Sequence, residues 1–223
     1  MKQRIRMIKI LDRLGAVFKP WRSYTNDPFL MLVGTVLSQN TSDRNSRPAF
    51  KRLTAKYKSP EQLAKAGIRD IQKLIKQSGL YRTKSKRIKQ LANLVLERYH
   101  GDLRQVLRMP LNDSRQELLS LPGVGYKTAD VVLEFAAKRD VVPIDTHIFR
   151  VSKRLGIAQP NDDYEEVRLR LEELIPRGRR GLAHMLLIQH GRRYCRAICP
   201  LCSECPINDL CPIGILRAEL ALL

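Results

Sequence analysis

A chain of 223 residues that sets 41 Lys and Arg against 22 Asp and Glu carries a formal net charge of +19. Its length suffices to bury a real core, as one large domain or two small ones, and a near two-to-one excess of one sign draws polyanions, nucleic acid ahead of an anionic membrane surface. Charges interrupt the apolar residues of the N-terminal MKQRIRMIKILDRLGAV, which excludes a signal-peptide core, and the longest apolar stretch, FLMLVGTVL, is far too short to span a bilayer, so a soluble intracellular protein is expected.

The periodicity is helical almost throughout. Ile8, Leu11, Leu14 and Phe18 recur at helical spacing and predict a first helix that ends between Gly15 and Pro20. Asp27-Pro28 reads as a cap followed by a first-turn proline, opening an apolar helix from Phe29 to about Leu37. Ser59 with Gln62 suggests a capping box. Thr83 is the expected cap of a long helix that reaches Tyr99 and ends at Gly101. Asp113 with Gln116, and Asp162 with Glu165, repeat the capping pattern. A last helix before the cysteines runs from about Leu182 to His190 and is expected to stop at Gly191. The one strand-like stretch, RDVVPIDTH, is short and broken by Pro143, so the expected class is all-α.

Between two of these helices lies LSLPGVGYKTADVVLEFAAK. Its Gly123-Val124-Gly125 turn is expected to use both glycines for φ > 0 and close backbone approach. Three successive amides at a helix N-terminus form an anion site, which on so basic a chain suits a DNA phosphate and positions a duplex without reading its sequence. A bare Gly-x-Gly is more often an ordinary tight turn; Leu-Pro-Gly-Val-Gly between two apolar-faced helices is more specific.

All five cysteines fall between Cys195 and Cys211. An odd number in a reducing compartment argues against a disulfide framework and for a metal site. Four thiolates suit either zinc or an iron–sulfur cluster, and spacing alone does not separate the two.

LPGVGYKTADVVL followed by VPIDTHIFRV resembles the helix–hairpin–helix and following aspartate of the endonuclease III family of DNA base-excision glycosylases. The resemblance extends from DPFLMLVGTVLSQNTSD to the cysteine tail. It implies a helix–hairpin–helix DNA glycosylase fold with residues 26–139 as a six-helix barrel, residues 1–25 and 140–223 as a discontinuous iron–sulfur domain, and an active-site cleft between them. It also implies a prokaryotic cytoplasm or nucleoid location and a monomer whose partner is double-stranded DNA containing damaged bases or abasic sites, with no membrane. The implied reaction is bifunctional: a DNA N-glycosylase and abasic-site lyase for oxidised pyrimidines. Lys127, in the first turn of the hairpin's second helix, is the implied nucleophile, attacking C1′ and holding the sugar as a Schiff base before β-elimination. A free lysine has a pKa near ~10.4 and must lose its proton first. Asp145 reads by itself as a helix N-cap, and by resemblance as the anion that activates the lysine and stabilises positive charge on the sugar. Gly123, Val124 and Gly125 are the implied phosphate contacts.

A flipped base leaves a hole in the duplex, and Asn40 and Leu80 are the candidates to fill it. Here the chain departs from the family pattern, placing a glutamine at Gln39 where the family has one at the position of Asn40. Cys195, Cys202, Cys205 and Cys211 match the Cys-x6-Cys-x2-Cys-x5-Cys spacing of the family's [4Fe–4S] loop, with Cys199 left over. Two alternatives remain in view: a monofunctional mismatch glycosylase of the same superfamily acting on uracil, thymine or adenine, and a non-catalytic DNA-binding module.

Overall fold

The computed structural model describes residues 1–21 and 25–220, and all regular structure among them is helical. In chain order the α-helices are α1 (Lys2–Val17), α2 (Pro28–Ser38), α3 (Asp43–Lys56), α4 (Pro60–Lys65), α5 (Ile68–Ile75), α6 (Tyr81–Tyr99), α7 (Arg104–Arg108), α8 (Leu111–Leu119), α9 (Tyr126–Phe135), α10 (Thr146–Arg154), α11 (Tyr164–Leu174), α12 (Arg180–Arg193) and α13 (Pro212–Leu220). No helix is long and apolar enough to cross a membrane among the described residues. The chain divides into two compact units, named by their place in the sequence: an inner unit, Ser23–Arg139, and an outer unit, Met1–Arg22 with Asp140–Leu223.

The inner unit is built on α2, whose mean hydropathy is high and which buries Leu32, Val33, Val36 and Leu37 completely. It packs on α3, α6 and α9. The Asp27 carboxylate accepts from Leu30 N at 2.8 Å, and Pro28 stands in the first turn, where its missing N–H costs nothing. α8 and α9 form the hairpin and are clasped by a buried ion pair. Arg115 Nε and Nη2 reach the Asp130 carboxylate at 2.8 and 3.1 Å, with the Asp130 side chain 0 % exposed. The Arg115 guanidinium also lies 5.3 Å from the centre of the Tyr126 ring. Removing one partner of such a pair strands the other charge in the interior. Asp130→Ala is therefore expected to lower stability by roughly 3–5 kcal/mol, read as a fall in the urea midpoint; an unchanged midpoint would mean that the clasp does not support the hairpin.

The outer unit buries Met7, Ile10, Leu11 and Leu14 of α1 against α11 and α12, and Ile148 and Val151 of α10 against α12. Gly191 lies inside α12 and does not end it. A Cβ there would come within 2.9 Å of His147 Cβ, so the glycine permits close packing of α12 on α10.

Several expected caps move. Ser59 accepts from Gln62 N, but the Gln62 side chain accepts from Lys58 N at 2.7 Å, so the box closes one residue early. Leu80, in left-handed conformation, precedes α6, which puts Thr83 inside the helix. Pro110 precedes α8, which puts Asp113 in its first turn. The capping box of α11 is formed by Asp163 and Glu166. Asp162 instead accepts from Gln159 N and pairs with Arg170 at 2.7 Å.

Candidate functional site

In the inner unit the hairpin turn differs from expectation in two respects. Gly123 adopts φ 78°, whereas Gly125 is extended at φ −102° and ψ 179°, so only the first glycine needs its conformational freedom. Val124 is buried and its N–H donates to Leu121 O at 3.2 Å, closing the turn instead of facing outward. A Cβ on Gly123 would meet Arg87 Cδ at 3.0 Å, while one on Gly125 meets nothing within 4 Å. Gly125 is thus exposed and open, with only an approaching ligand to crowd it. Lys127 follows in the first turn of α9 and is half-buried.

The α2–α3 loop is tied to this turn. Gln39 Nε2 donates to Gly123 O at 2.9 Å, and Arg87 Nη1 donates to Gln39 Oε1 at 3.4 Å. Gln39 is a strut between the two loops. The next residue, Asn40, is exposed and left-handed at φ 51°. Leu80 repeats the combination, at φ 46° and 60 % exposed. A left-handed conformation is unfavourable for a leucine by roughly 1–2 kcal/mol, and exposing its side chain adds to that cost. Such residues cluster where a surface meets a ligand.

One lysine in this unit has a strongly displaced pKa. Burial pulls Lys84 down to about 8. It is 2 % exposed and its Nζ is held by Leu37 O at 2.8 Å and Ser78 O at 2.7 Å. Enclosed in this way it has no access to a substrate, so the displaced pKa does not mark a nucleophile.

In the outer unit Asp145 caps α10, its carboxylate accepting from Ile148 N at 2.8 Å. It is half-buried, as is His147, whose Nδ1 lies 3.1 Å from Arg150 Nη2. Lys127 and Asp145 therefore stand on different units.

Cys195, Cys202, Cys205 and Cys211 line a single cavity with Arg154, His190 and Tyr194, whereas Cys199 is exposed, left-handed at φ 49°, and takes no part in it. Burial, and after it the neighbouring thiols, pushes Cys205 up to about 11 and raises Cys211 as well. Thiols so placed resist ionisation unless a cation compensates, as thiolate ligands require. His190 Nε2 lies 3.2 Å from Cys205 Sγ, and its buried Nδ1 has no hydrogen-bond partner among the described residues. Arg154 Nη1 donates to Cys195 Sγ at 3.4 Å. The thiols surround the cavity; among the described residues no three His, Cys, Asp or Glu side chains converge to hold one metal ion.

Sequence reasoning missed three features of this region: the Gln39 strut, the Lys84 anchor and the His190 contact to Cys205. The only signal available for the first was a glutamine in a place unusual for the pattern.

Residues 33–177 match the HhH-GPD superfamily of base excision DNA repair proteins. Endonuclease III of Thermotoga maritima is 42 % identical over 205 residues, covering 92 % of each chain. Endonuclease III of Bacillus subtilis is 36 % identical over 214 residues, covering 95 % of this chain and 94 % of that one. Among solved structures, a trapped covalent intermediate of endonuclease III with DNA superposes with a TM-score of 0.83 at 32 % identity, over 96 % of this chain and 98 % of the other. A thermostable thymine-DNA glycosylase does so with a TM-score of 0.82 at 27 % identity and the same coverage.

Proposed function

We propose, for a chain that belongs to the HhH-GPD superfamily of base excision DNA repair proteins and within it to the endonuclease III family, a bifunctional mechanism centred on Lys127. It is a base-excision repair DNA glycosylase and lyase. The observation that carries the bifunctional reading is a half-buried lysine in the first turn of α9, two residues after an open hairpin glycine. The Lys127 amine attacks C1′ of the damaged nucleotide, the C1′–base bond breaks, and the base leaves with a proton. The C1′–O4′ bond of the resulting aminal then breaks, O4′ taking a proton as the sugar ring opens to the imine. The imine acidifies the C2′ proton, and its loss drives β-elimination that breaks the C3′–O bond and expels the 3′ phosphate. The Asp145 carboxylate stabilises the positive charge that develops on the sugar. Relatedness to an enzyme trapped covalently on DNA supports this route over a purely hydrolytic one, and the monofunctional mismatch glycosylase is the reading it displaces.

The substrate class is double-stranded DNA carrying oxidised pyrimidines or abasic sites, bound by the monomer. The turn holds a phosphate through the Gly123 and Gly125 backbone, the Val124 N–H being turned inward to Leu121 O, and Asn40 and Leu80 enter the space left by the flipped nucleotide. Because Gln39 is engaged by Gly123 O, the exposed Asn40 is the side chain left to enter the duplex from its loop. Gly125→Ala tests the hairpin cleanly. Among the described residues nothing beyond its chain neighbours lies within 4 Å of the new Cβ, and no positive φ is lost. The unfolding midpoint is expected to stay put while affinity falls about tenfold for damaged and undamaged duplex alike, as loss of a phosphate contact demands. Unchanged affinity would remove the hairpin from the DNA interface.

The four cavity cysteines would hold a [4Fe–4S] cluster, adding rigidity to a loop whose carbonyls Arg6, Arg150 and Arg154 also hold. A thymine-glycol duplex, scored separately for base release and strand nicking, tests the reaction assignment. Both activities are expected; base release without nicking points to the monofunctional reading, and binding without either to a non-catalytic module.

A further inference from the structure

The loops that bear Asn40 and Leu80 are far apart in sequence, yet each ends against the same side chain. Leu37 O belongs to the last turn of α2, and the exposed Asn40 follows three residues later. Ser78 O closes the short 3-10 turn Lys76–Ser78, and Leu80 follows two residues later. Both carbonyls accept from Lys84 Nζ, at 2.8 and 2.7 Å, in a site where Lys84 is 2 % exposed. Ser78 is itself fully buried, and its hydroxyl donates to Ile75 O at 2.8 Å, so the turn has little freedom to move away from the lysine. The carbonyls at a helix C-terminus lack partners within the helix, and a buried cation on a third element is an uncommon way to satisfy one. Here a single donor satisfies carbonyls on two loops, and each loop presents a left-handed, exposed residue at its tip.

We propose that Lys84 is a positioning residue for base extrusion: by bridging Leu37 O and Ser78 O it fixes the Asn40 and Leu80 tips in register with one another, so that both enter the duplex together. This rests on the reading that those tips enter DNA. Arg87, one turn further along α6, reinforces the arrangement through Gln39, which links the same loop to Gly123 O. A neutral amine retains two N–H donors, enough for two carbonyls. With burial drawing Lys84 to about 8, the lock therefore survives on either side of its titration.

The test is single-turnover base release and borohydride trapping on a thymine-glycol duplex, with a single-stranded abasic oligonucleotide as control. The single strand needs no extrusion from a stack, so it reports the nucleophile alone. Lys84→Met is expected to slow the duplex reaction roughly ten- to a hundredfold, the scale of loss from a small misplacement, and to leave single-strand trapping within twofold. In an Asn40→Gly, Leu80→Ala background the same substitution is expected to add little, since residues acting as one unit are not additive. If Lys84→Met slows duplex and single strand equally, or adds its full loss in that background, the positioning role is overturned. If the tip substitutions leave duplex base release unchanged, the underlying reading of the tips fails instead. Should Lys84→Met not fold, Lys84→Gln, which keeps an amide donor for one carbonyl, is expected to show a smaller duplex-specific loss; full duplex activity in it overturns the proposal.

Discussion

Lys127→Ala is expected to abolish the borohydride-reducible crosslink to an abasic duplex and to slow base release at least a thousandfold, about 4 kcal/mol of barrier. An imine forms only from a primary amine, so removing the right amine removes the trapped species outright. Lys127 is half-buried in the first turn of α9, two residues after an extended glycine whose Cβ position meets no atom within 4 Å among the described residues, its chain neighbours aside. Duplex binding, by contrast, draws on a field set by 41 basic residues, so one lost cation is expected to leave affinity within about tenfold and the salt dependence nearly as steep. A variant that binds but neither traps nor excises separates catalysis from recognition; one that loses binding in step with activity would make Lys127 a phosphate contact.

Much of this could be read in the sequence, and the reasons for the exceptions are physical. Asp27-Pro28 and the Leu-Pro-Gly-Val-Gly turn were legible because their determinants are local: a carboxylate three residues from its amide, a glycine that must take φ 78°. Capping assignments failed where two neighbours fit one pattern. Asp162 and Asp163 each precede a glutamate by three residues, and only the distant Arg170 and the Gln159 amide decide which one caps α11. Gly191 looked like a helix stop because its role, admitting α10, depends on His147, a residue on another helix. Lys84 lies in a basic run that reads as surface, and Gln39 finds its partner 84 residues away. The contacts of Gln39 and Lys84 are thus tertiary and carry no local signature, whereas the proposed nucleophile and the cysteines sit in local motifs.

The second large effect is expected at the cysteines. Cys205→Ala is expected to yield protein without the broad visible absorbance and iron of a [4Fe–4S] site, in lower soluble amount, and with an apparent unfolding midpoint lower by about 10 °C or more. That figure corresponds to several kcal/mol at roughly 2–4 °C each. Cys205 lines the cavity with Cys195, Cys202 and Cys211, and burial pushes its thiol up to about 11, so without metal no cation offsets that burial. Metal binding to such a site contributes directly to folding free energy. Cys199→Ser is the matched control. Cys199 is exposed and outside the cavity, so colour, iron content and midpoint are expected to be unchanged. Zinc without iron in the wild-type protein would replace the cluster with a single-ion site, and a colourless Cys199→Ser would mean that the ligand set is drawn from a different four of the five.

The most direct measurement is the identity of the amine. Wild-type protein is reduced with borohydride on an abasic duplex, digested, and the crosslinked peptide sequenced by mass spectrometry. The adduct is expected on Lys127. An adduct on Lys84, on the N-terminal amine or on any other lysine, or no adduct on any abasic or oxidised-pyrimidine duplex, would contradict the assignment.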